Sequence, residues 1–135
     1  VTYKDNELDG DFVVFYENGK THQKVSYDEG RKRGKEVFYN EAGDILRETE
    51  YKNDVKYGKE IIYSHGEKIV FFRQYVDGIL HGKYVNYHEN GNKEFEVSVV
   101  DGKFHGEAYK YSEDGNLKFL LKYENNEIVH SEKKE

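Results

Sequence analysis

Five glycines stand 24 residues apart, at Gly10, Gly34, Gly58, Gly82 and Gly106, and His130 takes the next place in that series. A period of this length means tandem supersecondary units, each of which buries its apolar face only by stacking on its neighbours. We number each unit from the residue after its glycine. Position 3 then reads Val13, Val37, Ile61, Val85, Tyr109, and position 5 reads Phe15, Tyr39, Tyr63, Tyr87, Tyr111. Position 17 reads Tyr27, Tyr51, Tyr75, Val99, Tyr123. The spacing predicts a single repeat domain over 1–135: a partial repeat 1–10, five repeats at 11–34, 35–58, 59–82, 83–106 and 107–130, and a charged tail 131–135.

Within a unit the pattern has period two, which means half-buried strands. Positions 3, 5 and 17 are apolar or aromatic in every unit, and positions 11 and 13 extend the same expected face through Ile45, Ile69, Leu117 and Phe71, Phe95, Phe119. No window carries a helical stripe. Asn18-Gly19, Asn90-Gly91 and Asp114-Gly115 are hairpin turns in prospect. Because the apolar positions on both strands are odd, a three-residue loop with a left-handed glycine fits better than a two-residue turn. A second turn carries Gly30, Gly78 and Gly102, replaced by Asp54 and Asn126, residue types that also tolerate the left-handed region. The expected fold is all-β: an elongated single-layer antiparallel sheet of tandem β-hairpins. With two strands per unit it advances about 10 Å per repeat.

Composition limits what such a sheet can do. Charged and hydrophobic residues each make up 36%, so the core is thin, and its apolar mass lies in 13 Tyr and 8 Phe. The net charge of −6 gives no basic field for nucleic acid and argues against anionic lipid. The basic cluster Arg31, Lys32, Arg33 and Lys35 is expected to be a solvated turn. The chain has no cysteine, which excludes disulfides, thiolate metal sites and a thiol nucleophile. It begins at Val1 rather than Met, and its location is unknown from sequence: cytoplasmic, or secreted or periplasmic if a signal peptide was removed before Val1.

The third unit departs from its siblings. Its glycine comes one place early in Ser64-His65-Gly66-Glu67, and its second strand, Ile69 to Phe72, is apolar on both faces. With Phe38 and Ile62 nearby, Val70 and Phe72 form a candidate partner or dimer patch.

The unit resembles the MORN repeat, in its second, bacterial variant. The matching residues are Asp77-Gly78, His81-Gly82, Tyr87, Asn90-Gly91 and Val99, then Asp101-Gly102, His105-Gly106, Tyr111, Gly115 and Tyr123. Arg33 and Tyr57 depart from the histidine of the pattern, and Asp54 from a glycine. The resemblance implies a twisted one-layer sheet with a shallow groove, an accessory role in protein or membrane association, and no catalytic residue. Bacterial relatives are often labelled antitoxin-like.

The residues themselves point the same way. His81, His105 and His130 recur one unit apart, about 10 Å, too far to share a zinc ion. They are expected to satisfy backbone groups at turns. Glu36, Glu60 and Glu107 alternate with lysines and are expected to pair across strands on a solvated face. No phosphate loop, nucleophile elbow or metalloprotease motif is present. Catalytic residues, cofactors and metals are therefore expected to be none. The candidate binding face is the tyrosine columns Tyr39, Tyr63, Tyr87, Tyr111, Tyr51 and Tyr75. The expected function is a non-catalytic scaffold or interaction module for a protein or peptide, through this face or by strand addition at an edge. Homo-oligomerisation is open to it. The alternatives are a peripheral membrane module and a glycan-binding or glycan-hydrolysing protein.

Overall fold

A computed structural model describes residues 2–134, so Val1 of the partial repeat and Glu135 of the tail lie outside it. The chain forms a short hairpin, β1 (Tyr3–Lys4) and β2 (Glu7–Leu8), followed by one twelve-stranded antiparallel sheet. The sheet strands are β3 (Gly10–Phe15), β4 (Thr21–Asp28), β5 (Arg31–Lys32), β6 (Gly34–Tyr39), β7 (Ile45–Lys52), β8 (Val55–Ser64), β9 (Lys68–Val76), β10 (Ile79–Tyr87), β11 (Lys93–Val100), β12 (Lys103–Tyr111), β13 (Leu117–Glu124) and β14 (Glu127–Lys133). Strand order in the sheet follows the sequence, except that β5 and β6 both pair with β4, and β3 and β14 form its two edges. The sheet is open, as the tandem hairpins predict.

Both turns take the expected conformations. In the fourth unit the His88 carbonyl accepts from Gly91 N–H at 3.0 Å, and His88 N–H donates to the Asn92 carbonyl at 2.8 Å. This is a three-residue loop closed by a glycine at φ +93°. The second turn has two residues, both left-handed, as at Asp77 (φ 49°) and Gly78 (φ 81°) between the paired Val76 and Ile79. In the third unit Glu67 itself occupies the left-handed place at φ 58°, beside the early Gly66.

The face assignment differs from the sequence expectation. Beyond each loop a bulge inserts one residue, so that Tyr87 opposes Lys93 but Asn86 opposes Phe95, leaving Glu94 extra. The same shift recurs at every hairpin, with His22, Leu46, Val70, Glu94 and Lys118 as the extra residues. A one-residue insertion turns every following side chain to the other face. Positions 13, 15 and 17 therefore share a face with positions 2, 4 and 22, while positions 3 and 5 share the opposite face with position 11. Positions 3, 5 and 17 do not form one face.

The first of these faces is the more crowded. Of eleven buried residues among those described, nine lie on it: Val25, Glu36, Thr49, Glu60, Phe95, Val97, Val99, Ala108 and Leu121. The other two, Val37 and Val85, are buried on the opposite face. A one-layer sheet has no second layer, so this crowding comes from the glycine series. Between Leu80↔Tyr75 and Tyr84↔Arg73, three residues of β10 face only Gln74 of β9. The strand kinks there at Gly82 (φ +117°), and Gln74 Oε1 accepts the freed Lys83 N–H at 2.8 Å. Gly58 and Glu50 repeat the device, with Lys59 N–H donating at 3.0 Å. The kink brings side chains at positions 22 and 2, four residues apart on one strand, together over the sheet.

Units are also tied end to end. Asn18 and Asn90 donate to the carbonyls of Glu41 and Glu113 in the next hairpin, at 2.9 and 2.6 Å. At the opposite end, Gly78 and Gly102 donate to the carbonyls of Lys56 and Leu80, each at 2.8 Å. Where Asp54 and Asn126 replace glycine, their side chains add a bond from Lys32 N–H (2.7 Å) and Phe104 N–H (2.6 Å).

Candidate functional site

The crowded face has two chemically different halves, set by what occupies positions 22 and 2. Where the first unit meets the second and the second meets the third, these are Lys32 with Glu36 and Lys56 with Glu60, paired at 2.8 and 2.9 Å. Glu36 also accepts from Gln23 Nε2 at 2.8 Å. Glu60 accepts from Thr49 Oγ1 at 3.1 Å and from the Tyr75 hydroxyl at 3.3 Å. Lys32 and Lys56 lie over the rings of Tyr51 and Tyr75, each 4.9 Å from the centroid. Burial alone would raise the Glu60 pKa, but the Lys56 ammonium, Thr49 and Arg73 more than offset it and hold the carboxyl below its ordinary value. Burial likewise opposes the charge on Lys56, and the Glu60 carboxylate raises its pKa all the same. Burial raises the Tyr51 hydroxyl.

These residues correct three expectations. Glu36 and Glu60 are 2% and 4% exposed, so they are not on a solvated face, and their partners lie along their own strands. Lys32 leaves the basic turn to cover Glu36, while Arg33 pairs with Asp28 at 2.8 Å and Lys35 with Glu48 at 3.5 Å. Tyr51 and Tyr75 are roofed by lysines and lie on the opposite face from Tyr39, Tyr63, Tyr87 and Tyr111. The six tyrosines proposed as a binding face therefore do not form one surface. The register likewise divides the proposed patch. Phe38 and Ile62 share the crowded face with Phe71, Phe72 opposes Ile61 and Val85 on the other face, and Val70 is the bulge residue.

At the next two junctions, into the fourth and fifth units, the same positions become apolar. Leu80 and Phe104 stand where Lys32 and Lys56 stood, and Tyr84 and Ala108 replace the two glutamates. Phe104 is 5.4 Å from Tyr123, 5.2 Å from Tyr84 and 5.9 Å from Phe95 between ring centroids. Phe95, Val97, Ala108 and Leu121 form the buried floor beneath them. The rings wall a trough of about 310 Å³, completed by Asn86, Glu94 and Lys110. A second hollow of about 260 Å³ is lined by Glu94, Phe95, Lys110, Tyr111, Lys118 and Phe119. The two share Glu94, Phe95 and Lys110 and so adjoin. Asn86 Oδ1 is buried without a hydrogen-bond partner among the described residues.

Sequence reasoning did not single out Tyr84 or Phe104, and it placed Tyr123 only as a repeat position. The signal lay in position 22, where Lys32 and Lys56 give way to Leu80 and Phe104, but reading it requires the bulge that places position 22 beside position 17. Of the histidines, His81 Nδ1 accepts from Asp101 N–H at 3.3 Å, the backbone role expected of it. His130 departs from the ladder. Lys122 opposes His130 and Tyr123 opposes Ile128, so the kink of earlier units loses one residue where glycine is missing.

A family profile described as the MORN repeat variant matches residues 8–29, 32–53, 80–101 and 104–125. The chain belongs to the MORN repeat family. The matches step by the 24-residue period and leave out 54–79, the stretch with the early Gly66 and the doubly apolar β9. Comparison with curated proteins finds no match. MORN repeats serve generally in protein or membrane association, and the family is generally non-catalytic. A third hollow, lined by Lys35, Glu48, Glu50, Lys59 and Ile61, holds two carboxylates, each already engaged. Glu48 pairs with Lys35, and Glu50 accepts Lys59 N–H.

Proposed function

We infer that the chain is a non-catalytic protein-interaction module whose docking surface is the aromatic trough on the crowded face of the fourth and fifth units. The observation that carries this reading is the cluster of Tyr84, Phe95, Phe104 and Tyr123. Its rings pack edge to face or tilted on one another, yet among the described residues no second layer covers them. Aromatic side chains in a depression are the usual anchors of protein interfaces. In the ionic half Lys32 and Lys56 already cover the rings of Tyr51 and Tyr75. Net charge favours neither nucleic acid nor an anionic bilayer.

The test is selection of peptides from a random display library, followed by backbone amide chemical-shift mapping on the isotopically labelled protein. The reading expects the shifts to centre on Tyr84, Phe95, Lys110 and Tyr123. Shifts centred on β3, β4 or the ionic half would overturn it.

A further inference from the structure

The trough has a chemistry beyond its rings, and this inference rests on the reading just given. Across β10 to β14, one row of the crowded face runs Asn86, Phe95, Lys110, Phe119, Lys133. Lys118, the extra residue of the β12–β13 bulge, stands beside Phe119 in the second hollow. Like most lysines of the chain, Lys110, Lys118 and Lys133 have no carboxylate within ion-pair distance among the described residues, and Asp114 lies near enough to Lys118 for its carboxyl to feel that charge. The one acid lining both hollows, Glu94, lies 3.5 Å from His88 Nδ1. So Lys110 and Lys118 line these hollows without an ion pair among the described residues, against the single carboxylate of Glu94, and Lys133 extends their row toward β14. Phe119, 36% exposed, continues the apolar floor between them. At the inner end sits the unpartnered Asn86 Oδ1, an acceptor that costs free energy while it stays unmet.

We propose that the trough takes an acidic peptide segment bearing an aromatic or branched aliphatic anchor. The anchor enters among Tyr84, Phe95, Phe104 and Tyr123. A peptide N–H donates to Asn86 Oδ1. Carboxylates following the anchor meet Lys110, Lys118 and Lys133 along the row toward β14. The alternation of Phe95, Lys110, Phe119 and Lys133 on adjacent strands gives an occupant lying across the strands charged and apolar contacts in turn.

Fluorescence anisotropy with synthetic nonapeptides tests this on the full chain. One probe carries a central Phe flanked by Asp and Glu, a second the same Phe flanked by Lys, and a third Ala in place of Phe in the acidic frame. The proposal expects the acidic Phe peptide to bind at least tenfold tighter than either other probe, with an affinity that falls as salt rises. The double variant Lys110→Glu/Lys118→Glu changes two side chains outside the buried floor and is checked for an unchanged melting curve. It should lose that preference and gain affinity for the Lys-flanked probe. Equal binding of acidic and basic probes, or an unchanged preference in the double variant, overturns the proposal. If the display selection enriches basic or neutral peptides whose shifts still centre on the trough, the docking site stands and only its acidic specificity fails. Shifts elsewhere remove both.

Discussion

Replacing Gly82 by alanine should destabilise the sheet far more than the same change at Gly91. Both glycines have positive φ, +117° and +93°, so each substitution carries a backbone cost of about 1–2 kcal/mol. Their surroundings differ. A Cβ on Gly91 meets nothing within 4 Å, whereas one on Gly82 would lie 2.6 Å from Gln74 Oε1 and 3.0 Å from Gln74 Cβ. The carboxamide must move, and with it goes the bond to Lys83 N–H, worth about 1 kcal/mol. The expected losses are about 2–3 kcal/mol for Gly82→Ala and about 1–2 kcal/mol for Gly91→Ala. Urea titration followed by circular dichroism measures both. The Gln74→Ala background removes the carboxamide, its clash and its bond, and leaves only the Cβ contact. There Gly82→Ala should cost about 1 kcal/mol less than in the parent, a coupling typical of contacting residues. Equal losses at the two glycines, or strict additivity with Gln74→Ala, would refute the kink as the element that crowds this face.

Other outcomes follow from the same geometry. Lys56→Met leaves Glu60 buried without its ammonium. It should cost roughly 2 kcal/mol, below the usual loss for a broken buried pair because Lys56 is a third exposed, read as a lowered urea midpoint. The Glu60 pKa is depressed in the fold, so its contribution is present above the unfolded carboxyl pKa and is lost as pH falls through the folded value. The raised Lys56 and Lys32 pKa values act oppositely. Their contribution is full below the unfolded lysine pKa and is lost as pH rises through the folded one, and Glu60→Gln should flatten the acid limb of a stability–pH curve. Asn126→Ala removes the acceptor for Phe104 N–H and places a side chain poorly suited to φ 71°, for a loss of about 2 kcal/mol by thermal denaturation. His130→Gly should restore the longer kink and move the partner of Leu121 on β14 from Ser131 to Glu132, visible in cross-strand nuclear Overhauser contacts.

The sequence carries the architecture because glycine marks it. The series from Gly10 to Gly106 locates the kinks, Asn90-Gly91 locates a loop, and Asp54 and Asn126 stand where a left-handed residue is needed. The faces were not legible for an equally physical reason. The bulge residue at position 12 is His22, Leu46, Val70, Glu94 or Lys118, with no shared chemistry to announce it. Without it, alternation puts Tyr51 and Tyr63 on one surface. With it they part, and Phe104, unremarkable in sequence, becomes the centre of the aromatic cluster. Glu36 and Glu60 misled in the same way. Beside Lys35 and Lys59 they read as surface charges, while their actual partners, Lys32 and Lys56, are brought near only by the kink.

The register of β10 on β11 decides whether the trough exists. The most direct measurement is the set of cross-strand Hα and amide nuclear Overhauser contacts between these strands. Asn86 should contact Phe95, and Tyr84 should contact Val97, which places Tyr84 and Phe95 on one face. Contacts of Val85 with Phe95 and of Lys83 with Val97 would contradict this. They would return the tyrosine columns to a single face and dissolve the trough.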